Sequence, residues 1–270
     1  MKLINPGSSG EYGWHSLETA LVCPRRAALL RASLVRSESD ALARGELMHI
    51  GLAHLYARRQ EGKAEEFLSP LEAIDAFAQS EAANDYHLKW AERVKDAMRA
   101  YRAHWGPEAH LRVEAVEQVI RLNVQGKPYT QRLDLIVYDR GQDRYFIWDH
   151  KTTYAILNKV VRGYSLSGQM LGLQLMGRKA YGKKFGGVIL NFIKLTLSHE
   201  FEFGRSALEL APLAVVDLKK TILRAHRILE DEVVGRAPED VTPVFTEACF
   251  GKYGACPGRE FCKGERNNGR

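Results

Sequence analysis

Acidic and basic side chains lie within or directly after two short apolar runs in the middle of the chain. The first run, Leu133 to Tyr138, contains Asp134, and the second, Tyr145 to Trp148, is followed by Asp149 and Lys151. Both runs are rich in β-branched and aromatic residues and flank a turn-forming segment, which predicts a β-hairpin. Side chains two positions apart on a strand share a face, so Asp149 and Lys151 project together, and hairpin pairing can bring Asp134 beside them.

These three side chains indicate a metal-dependent reaction on an anionic substrate. Two carboxylates and an ammonium at a sheet edge are costly to desolvate unless a divalent cation and an anion share the site. Carboxylates suit Mg²⁺ or Mn²⁺, which also bind phosphate oxygens. The alternative is a surface hairpin with solvated Asp and Lys side chains. The apolar neighbours of Asp134 and Asp149 argue against it.

Composition is compatible with a globular protein that binds a polyanion. The chain has 270 residues, 45% of them hydrophobic, and a formal net charge of +6, a moderate basic excess. It has no apolar run of membrane-spanning length and no apolar signal segment at its start, so we expect a cytoplasmic protein without a membrane partner. In that compartment its four cysteines are metal ligands or core residues rather than disulfides.

The hydrophobic period predicts an α/β fold with a mixed central sheet flanked by helices. Residues 1–110 form a helical N-terminal part, with helices expected over about 16–33, 40–60, 70–82 and 85–104. Residues 111–205 form the sheet core, in the order strand 113–124, the hairpin, helix 167–181, strand 187–194 and strand 198–203. Residues 206–270 hold a long helix, over about 207–234, and a Cys-rich tail. We treat 1–270 as a single domain.

Three cysteines crowd the C-terminal tail. Cys249, Cys256 and Cys262 lie among glycine, proline and charged residues, and too few apolar residues surround them to bury three thiols in a core. This predicts a metal site whose fourth ligand is Cys23, the remaining cysteine. Cys23 precedes Pro24, which either kinks the first helix or begins a new one. Zn²⁺ on four thiolates is chemically possible, and four unrelated reduced cysteines are the alternative.

At Asp134 and at Asp149-His150-Lys151 the sequence resembles the PD-(D/E)xK nuclease superfamily. In that superfamily an Asp, a following Asp/Glu-x-Lys and the hairpin between them form the metal site. Gln169 matches the glutamine that begins the next helix in RecB-type members, although Leu173 occupies the position of their tyrosine. His49, in a G-x-x-x-H setting, matches the histidine that supplies a further metal ligand. The resemblance implies a restriction-endonuclease-like fold.

The cysteines resemble the iron–sulfur subgroup of these nucleases, which includes the AddB type and the CRISPR-associated single-strand exonucleases. The resemblance implies a [4Fe–4S] cluster that joins the C-terminal tail to the N-terminal part of the chain. Its ligands would be Cys23, Cys249, Cys256 and Cys262. The gap between Cys249 and Cys256 is wider than in the AddB pattern.

The implied activity is that of a Mg²⁺- or Mn²⁺-dependent deoxyribonuclease, an exonuclease on single-stranded or frayed DNA ends in recombination, repair, or phage- or CRISPR-related processing. Its catalytic residues would be Asp134, Asp149, Lys151 and Gln169, and its metal ligands His49, Asp134 and Asp149. The DNA contacts would be Arg25, Arg26, Lys159, Arg162 and Tyr164. Glu117 is either an additional site carboxylate or an exposed strand residue.

Two other classes of protein stay open at this point. One is a weakly catalytic or non-catalytic DNA-binding subunit of a recombination or CRISPR-adaptation complex. The chain lacks the Walker A pattern, so a helicase motor would be a separate partner protein. The other is a zinc-stabilised nucleic-acid adaptor that cuts nothing.

Overall fold

The computed structural model describes most of the chain. The described residues are 1–4, 7–35, 37–154, 161, 163–198, 200–208, 211–245, 247–250 and 255–264, without the side chains of Ala248 and Phe250. Lys159 and Arg162, two of the predicted DNA contacts, lie outside these ranges.

The N-terminal part is helical, as predicted. Its helices are α1 (Trp14–Val22), α2 (Pro24–Arg31), α3 (Asp40–Ala57), α4 (Pro70–Ala78) and α5 (Asp85–Trp105). Pro24 begins a new helix rather than kinking one, because a proline lacks the N–H that the first helical position leaves unpaired anyway. The Ser39 side chain caps α3, and capping boxes begin α4 at Ser69 and α5 at Asn84.

The centre of the molecule is a five-stranded mixed sheet. Its strands, in spatial as well as chain order, are β1 (Leu111–Val124), β2 (Lys127–Asp139), β3 (Arg144–Thr153), β4 (Phe185–Lys194) and β5 (Glu202–Ala207). All neighbouring strands are antiparallel except β3 and β4, which are parallel because helix α6 (Gly168–Tyr181) carries the chain back between them. Helices α7 (Pro212–Ile228) and α8 (Arg259–Cys262) follow the sheet.

Helices cover both faces of the sheet. On one face α3, α4 and α5 pack against a core that includes Leu135 and Trp148. On the other, α1, α2, α6 and α7 enclose a core that includes Leu133 and Ile147. The prediction of an α/β fold with a mixed sheet flanked by helices is confirmed. Among the described helices, none combines the length and the apolar character that crossing a bilayer requires.

Two predicted boundaries near the end of the sheet were wrong. The last strand begins at Glu202 rather than near Ser198, because its pairing with β4 starts only where Glu202 faces Lys194. The following helix begins at Pro212 and ends at Ile228, after which Leu229–Val233 forms a wider π-helical turn.

Candidate active site

The strands that carry the predicted site separate at the site itself. Pairing between β2 and β3 ends at Leu135 and Trp148, one residue short of Asp134 and Asp149, while β3 continues to pair with β4. The carboxylate of Asp134 spans the opening and accepts a 2.8 Å hydrogen bond from the backbone N–H of His150. This side chain therefore holds the two strands together where their backbones no longer pair.

Glu117 lies opposite Asp134 in the neighbouring strand β1. Its φ of 50° is left-handed, an uncommon conformation for a residue that is not glycine, and such strain concentrates at functional sites. The strands are irregular here. Leu133 and Leu135 would share a face in a regular strand, yet they pack into the cores on opposite faces of the sheet.

His49 of α3 completes a three-residue group with these two carboxylates. Its Nδ1 lies 3.5 Å from Oδ2 of Asp134 and 3.8 Å from Oε1 of Glu117, and the three ligand atoms all lie within 4.8 Å of one another. The other ring nitrogen, Nε2, is 3.0 Å from the backbone carbonyl of His150. Because a carbonyl can only accept, Nε2 carries a proton, so when the ring is neutral, as a metal ligand must be, the Nδ1 lone pair faces the carboxylates.

Two atoms of this group fit a metal ion better than they fit each other. His49 Nδ1 and Glu117 Oε1 are buried, and neither makes a hydrogen bond within the described part of the chain. Distances of 3.5 and 3.8 Å are long for hydrogen bonds but leave room for a cation between the ligands. The donor set, one imidazole nitrogen and carboxylate oxygens, is one that Mn²⁺ and Mg²⁺ can use.

The electrostatics of the group favour a cation. Burial raises the pKa of Asp134, and the neighbouring charge of Glu117 raises it further. Burial alone would lower the pKa of His49, but the carboxylates of Asp134 and Glu117 outweigh it and raise that pKa to about 9. Arg132, with Nε 2.7 Å from Oε2 of Glu117, offsets part of the negative charge from the side.

Asp149, Lys151 and Gln169 form a second group beside the first. The Lys151 ammonium forms an ion pair with Asp149. The Gln169 amide donates to Asp149 at 3.0 Å, while its oxygen accepts from Lys151 at 3.2 Å. Burial raises the pKa of Asp149. Burial opposes the charge of Lys151, but Asp149 and Asp134 outweigh it and raise its pKa, so the lysine is a cation.

The group of metal ligands in the structure differs from the group that was predicted from the sequence. The compact three-residue group contains Glu117 and not Asp149, whose carboxylate is held by Lys151 and Gln169. Asp149 as a metal ligand stays a prediction. Glu117 was left open because a glutamate on a strand is more often exposed, and no local pattern reveals the left-handed turn of its backbone.

His150 connects this site to a buried polar network. Its backbone N–H and carbonyl hold the Asp134 and His49 side chains, and its ring Nδ1 accepts from the Asn191 amide at 2.9 Å. The Asn191 oxygen accepts in turn from Arg205 at 3.3 Å, and Arg205 pairs with buried residues beyond it. Burial, followed by nearby positive charges, lowers the pKa of His150 well below its usual value, so this ring is neutral.

The four cysteines all line one cavity of about 700 Å³ between α2 and the C-terminal segment. Cys23 joins α1 to α2, Cys262 ends α8, and the N–H of Cys256 donates to the carbonyl of Cys249 at 3.0 Å. All four thiols are free. No three of their sulfur atoms lie within 4.8 Å of one another in the described structure.

The predicted DNA contacts occupy varied settings. Arg25 donates to the backbone carbonyls of Val241 and Glu239, at 2.6 and 3.1 Å, and so fastens α2 to the C-terminal segment. Arg26 lines the cysteine cavity. Tyr164 lies beside the site, with its ring centroid 5.6 Å from the Lys151 ammonium. Direct contact of these residues with DNA stays a prediction.

The fold and the site together define an α/β protein with a buried group of acidic and imidazole side chains suited to a divalent metal. A comparison with protein-family models matches residues 14–263 to the PD-(D/E)XK nuclease superfamily. The chain therefore belongs to this superfamily.

Comparison with solved structures found a crystal structure from Eubacterium rectale described as a "Putative exonuclease". The two sequences are 15% identical, and the match covers 96% of this chain and 89% of the E. rectale chain. The TM-score of 0.53 shows a shared fold. A second structure, that of SSO0001, is also 15% identical and covers 78% of this chain and 84% of its own. Its TM-score of 0.30 is too low to indicate a shared fold. No curated protein matches the sequence closely enough to count as a relative.

Proposed function

We propose that this protein is a metal-dependent deoxyribonuclease, an exonuclease that hydrolyses DNA from single-stranded or frayed ends. The observation that carries the proposal is the convergence of the His49, Glu117 and Asp134 ligand atoms beside the hydrogen-bonded group of Asp149, Lys151 and Gln169. Membership of the nuclease superfamily supports phosphodiester hydrolysis. The exonuclease description of the E. rectale protein is consistent with attack from an end.

Mg²⁺ or Mn²⁺ would be held by His49, Glu117 and Asp134, with Asp149 as a further carboxylate, and would supply Lewis acidity toward a phosphate oxygen and a water molecule. Lys151 remains protonated between buried carboxylates and donates hydrogen bonds to an anionic oxygen of the scissile phosphate. Gln169 contacts both Asp149 and Lys151 and fixes the direction of each side chain. His150 holds His49 and Asp134 through its backbone.

Digestion of end-labelled DNA tests this function directly. We expect Mn²⁺ or Mg²⁺ to support degradation of single-stranded DNA labelled at either end. Excess EDTA should abolish it, because the carboxylates and imidazole then lack the cation that they were arranged to share. Blunt duplex DNA should be degraded more slowly than duplex with frayed ends. Closed circular single-stranded DNA is the matched control. Its rapid cleavage would contradict exonuclease action, and inert linear DNA would contradict the nuclease assignment.

We propose further that the four cysteines hold a [4Fe–4S] cluster with a structural role, since phosphodiester hydrolysis requires no electron. The support is that all four thiols, from both ends of the chain, line one cavity. Zn²⁺ on the same thiolates is the competing occupant. A helicase, recombination or CRISPR-adaptation protein stays a predicted partner.

Replacing Cys256 by serine is expected to remove the brown colour, iron and sulfide of protein purified without oxygen, and to lower its melting temperature, because one of four ligands is removed. Elemental analysis beside wild-type protein prepared in parallel measures the change. A colourless wild-type protein with one zinc per chain would assign Zn²⁺ instead. A wild-type protein containing neither metal would refute a metal site at the cysteines.

A further inference from the structure

A second cavity, of about 740 Å³, lies at the C-terminal ends of α3 and α5 and is lined by four arginines. Arg58 and Arg59 follow the last residue of α3, and Arg99 and Arg102 belong to the last two turns of α5. The remaining lining residues are apolar or neutral, namely Leu55, Ser69, Pro70, Ala103, Gly106 and Pro107, so no acidic side chain lines this cavity.

Two of the arginines are held in place by partners behind them. The guanidinium of Arg58 donates to the backbone carbonyl of Phe67 at 2.6 Å. Arg59 donates to the carbonyl of Gly106 at 2.8 Å and forms an ion pair with the buried carboxylate of Glu108. Their positions are therefore fixed before any ligand arrives, which lowers the entropy cost of binding.

The other two arginines are exposed and weakly compensated. Arg99 pairs with Asp96 at 2.7 Å, but both side chains are more than half exposed, so the pair contributes little. Arg58 and Arg102 form no ion pair among the described residues. The nearby carboxylate of Glu72 is hydrogen-bonded in the capping box at Ser69 and keeps its charge, so it offsets part of the charge of Arg58. Four guanidinium groups around one cavity thus leave an excess of positive charge that an anion would neutralise.

We infer that this arginine-lined cavity binds a phosphate group at a position separate from the metal site. Guanidinium groups match phosphate in planar geometry and charge, and each can donate two parallel hydrogen bonds to it. Arg58, the C-cap of α3, follows His49 by nine positions, which places the cavity about 14 Å along the helix from the metal site. If a DNA strand is the source, its scissile phosphate lies at the metal site and another of its phosphates in this cavity. The identification of DNA as the source of the phosphate rests on the proposed function. The phosphate site itself does not.

The test compares two matched pairs of substitutions. Arg99→Ala/Arg102→Ala removes exposed arginines three residues apart at the end of α5, and Arg224→Ala/Arg227→Ala removes an equivalent exposed pair from the end of α7. Neither pair belongs to the metal site or to a buried network, and equal melting temperatures would show that both variants fold. Binding is measured with EDTA present, by calorimetry for inorganic pyrophosphate and by fluorescence anisotropy for a single-stranded oligonucleotide.

We expect the α5 variant to bind pyrophosphate about tenfold more weakly or worse, and the α7 variant to bind nearly as well as wild type. Weaker oligonucleotide binding, with a salt slope reduced by about 0.7 for each phosphate that is no longer neutralised, would identify the strand as the source. Weakening confined to pyrophosphate would identify a small phosphate ligand. Equal effects of the two variants on both probes would overturn the inference. DNA cleavage by the wild-type protein is measured separately. If the wild-type protein cut no DNA but the α5 variant still showed these binding defects, the nuclease proposal would be refuted and the phosphate site would stand.

Discussion

Replacing Lys151 by alanine is expected to lower the rate of single-stranded DNA degradation by at least about 10²-fold. The ammonium is the cationic side chain held directly against Asp149 and Gln169, and it is oriented by both. Its removal takes away a preorganised donor to the charge that develops on the phosphate. It also leaves the buried carboxylate of Asp149 without its ion pair. The measurement is single-turnover degradation of labelled DNA at saturating Mn²⁺.

Lys127→Ala is the matched control for this experiment. Lys127 lies on β2 and pairs with Glu230 at 2.6 Å, but both side chains are substantially exposed and remote from Asp149 in the sheet. We expect its removal to change the rate by less than about twofold, since exposed ion pairs contribute little. A Lys151→Ala enzyme that degraded DNA as fast as the Lys127→Ala enzyme would remove the nuclease assignment for this site.

Replacing Glu117 by glutamine is expected to weaken metal binding by about 100-fold, because a charged ligand in the three-residue group becomes a neutral amide of the same shape. Wild-type protein at a metal concentration 100 times its Kd gains about 2.7 kcal/mol of stability, a rise in Tm of about 5–10 °C for a chain of this size. In the variant the same concentration contributes only about 0.4 kcal/mol, or about 1 °C. Calorimetry with and without Mn²⁺ measures the difference.

Glu114→Gln is the control, because Glu114 is an exposed residue on the same strand that pairs with Arg112 away from the site. It should retain the full metal-dependent rise in Tm. The comparison is made within each variant, with and without metal, so any change in baseline stability cancels. If Glu117→Gln kept the wild-type rise in Tm, Glu117 would not be a ligand, and its left-handed backbone would need another explanation.

Much of the fold follows from local patterns along the chain. Short apolar runs flanking turn residues predict the hairpin of β2 and β3, and apolar residues at helical spacing predict α3 and α5. Both patterns can be read locally because the backbone geometry of a strand or a helix determines which nearby residues share a face. The order of strands and helices was confirmed on this basis. The boundaries of β5 were not predictable in the same way, since its pairing partner in β4, and not its own sequence, determines where the strand begins.

The sequence by itself determined the chemical types present at the site: Asp134, Asp149 and Lys151 on the two hairpin strands, His49 within an apolar helix, and Gln169 at a helix start. Only the tertiary structure decided which of them share one metal-sized space. Glu117 joins His49 and Asp134 because a left-handed residue interrupts the alternation of β1 directly opposite Asp134. The arginine-lined cavity likewise exists only because the ends of α3 and α5 meet. Both depend on contacts between residues far apart in the chain, which no local period encodes.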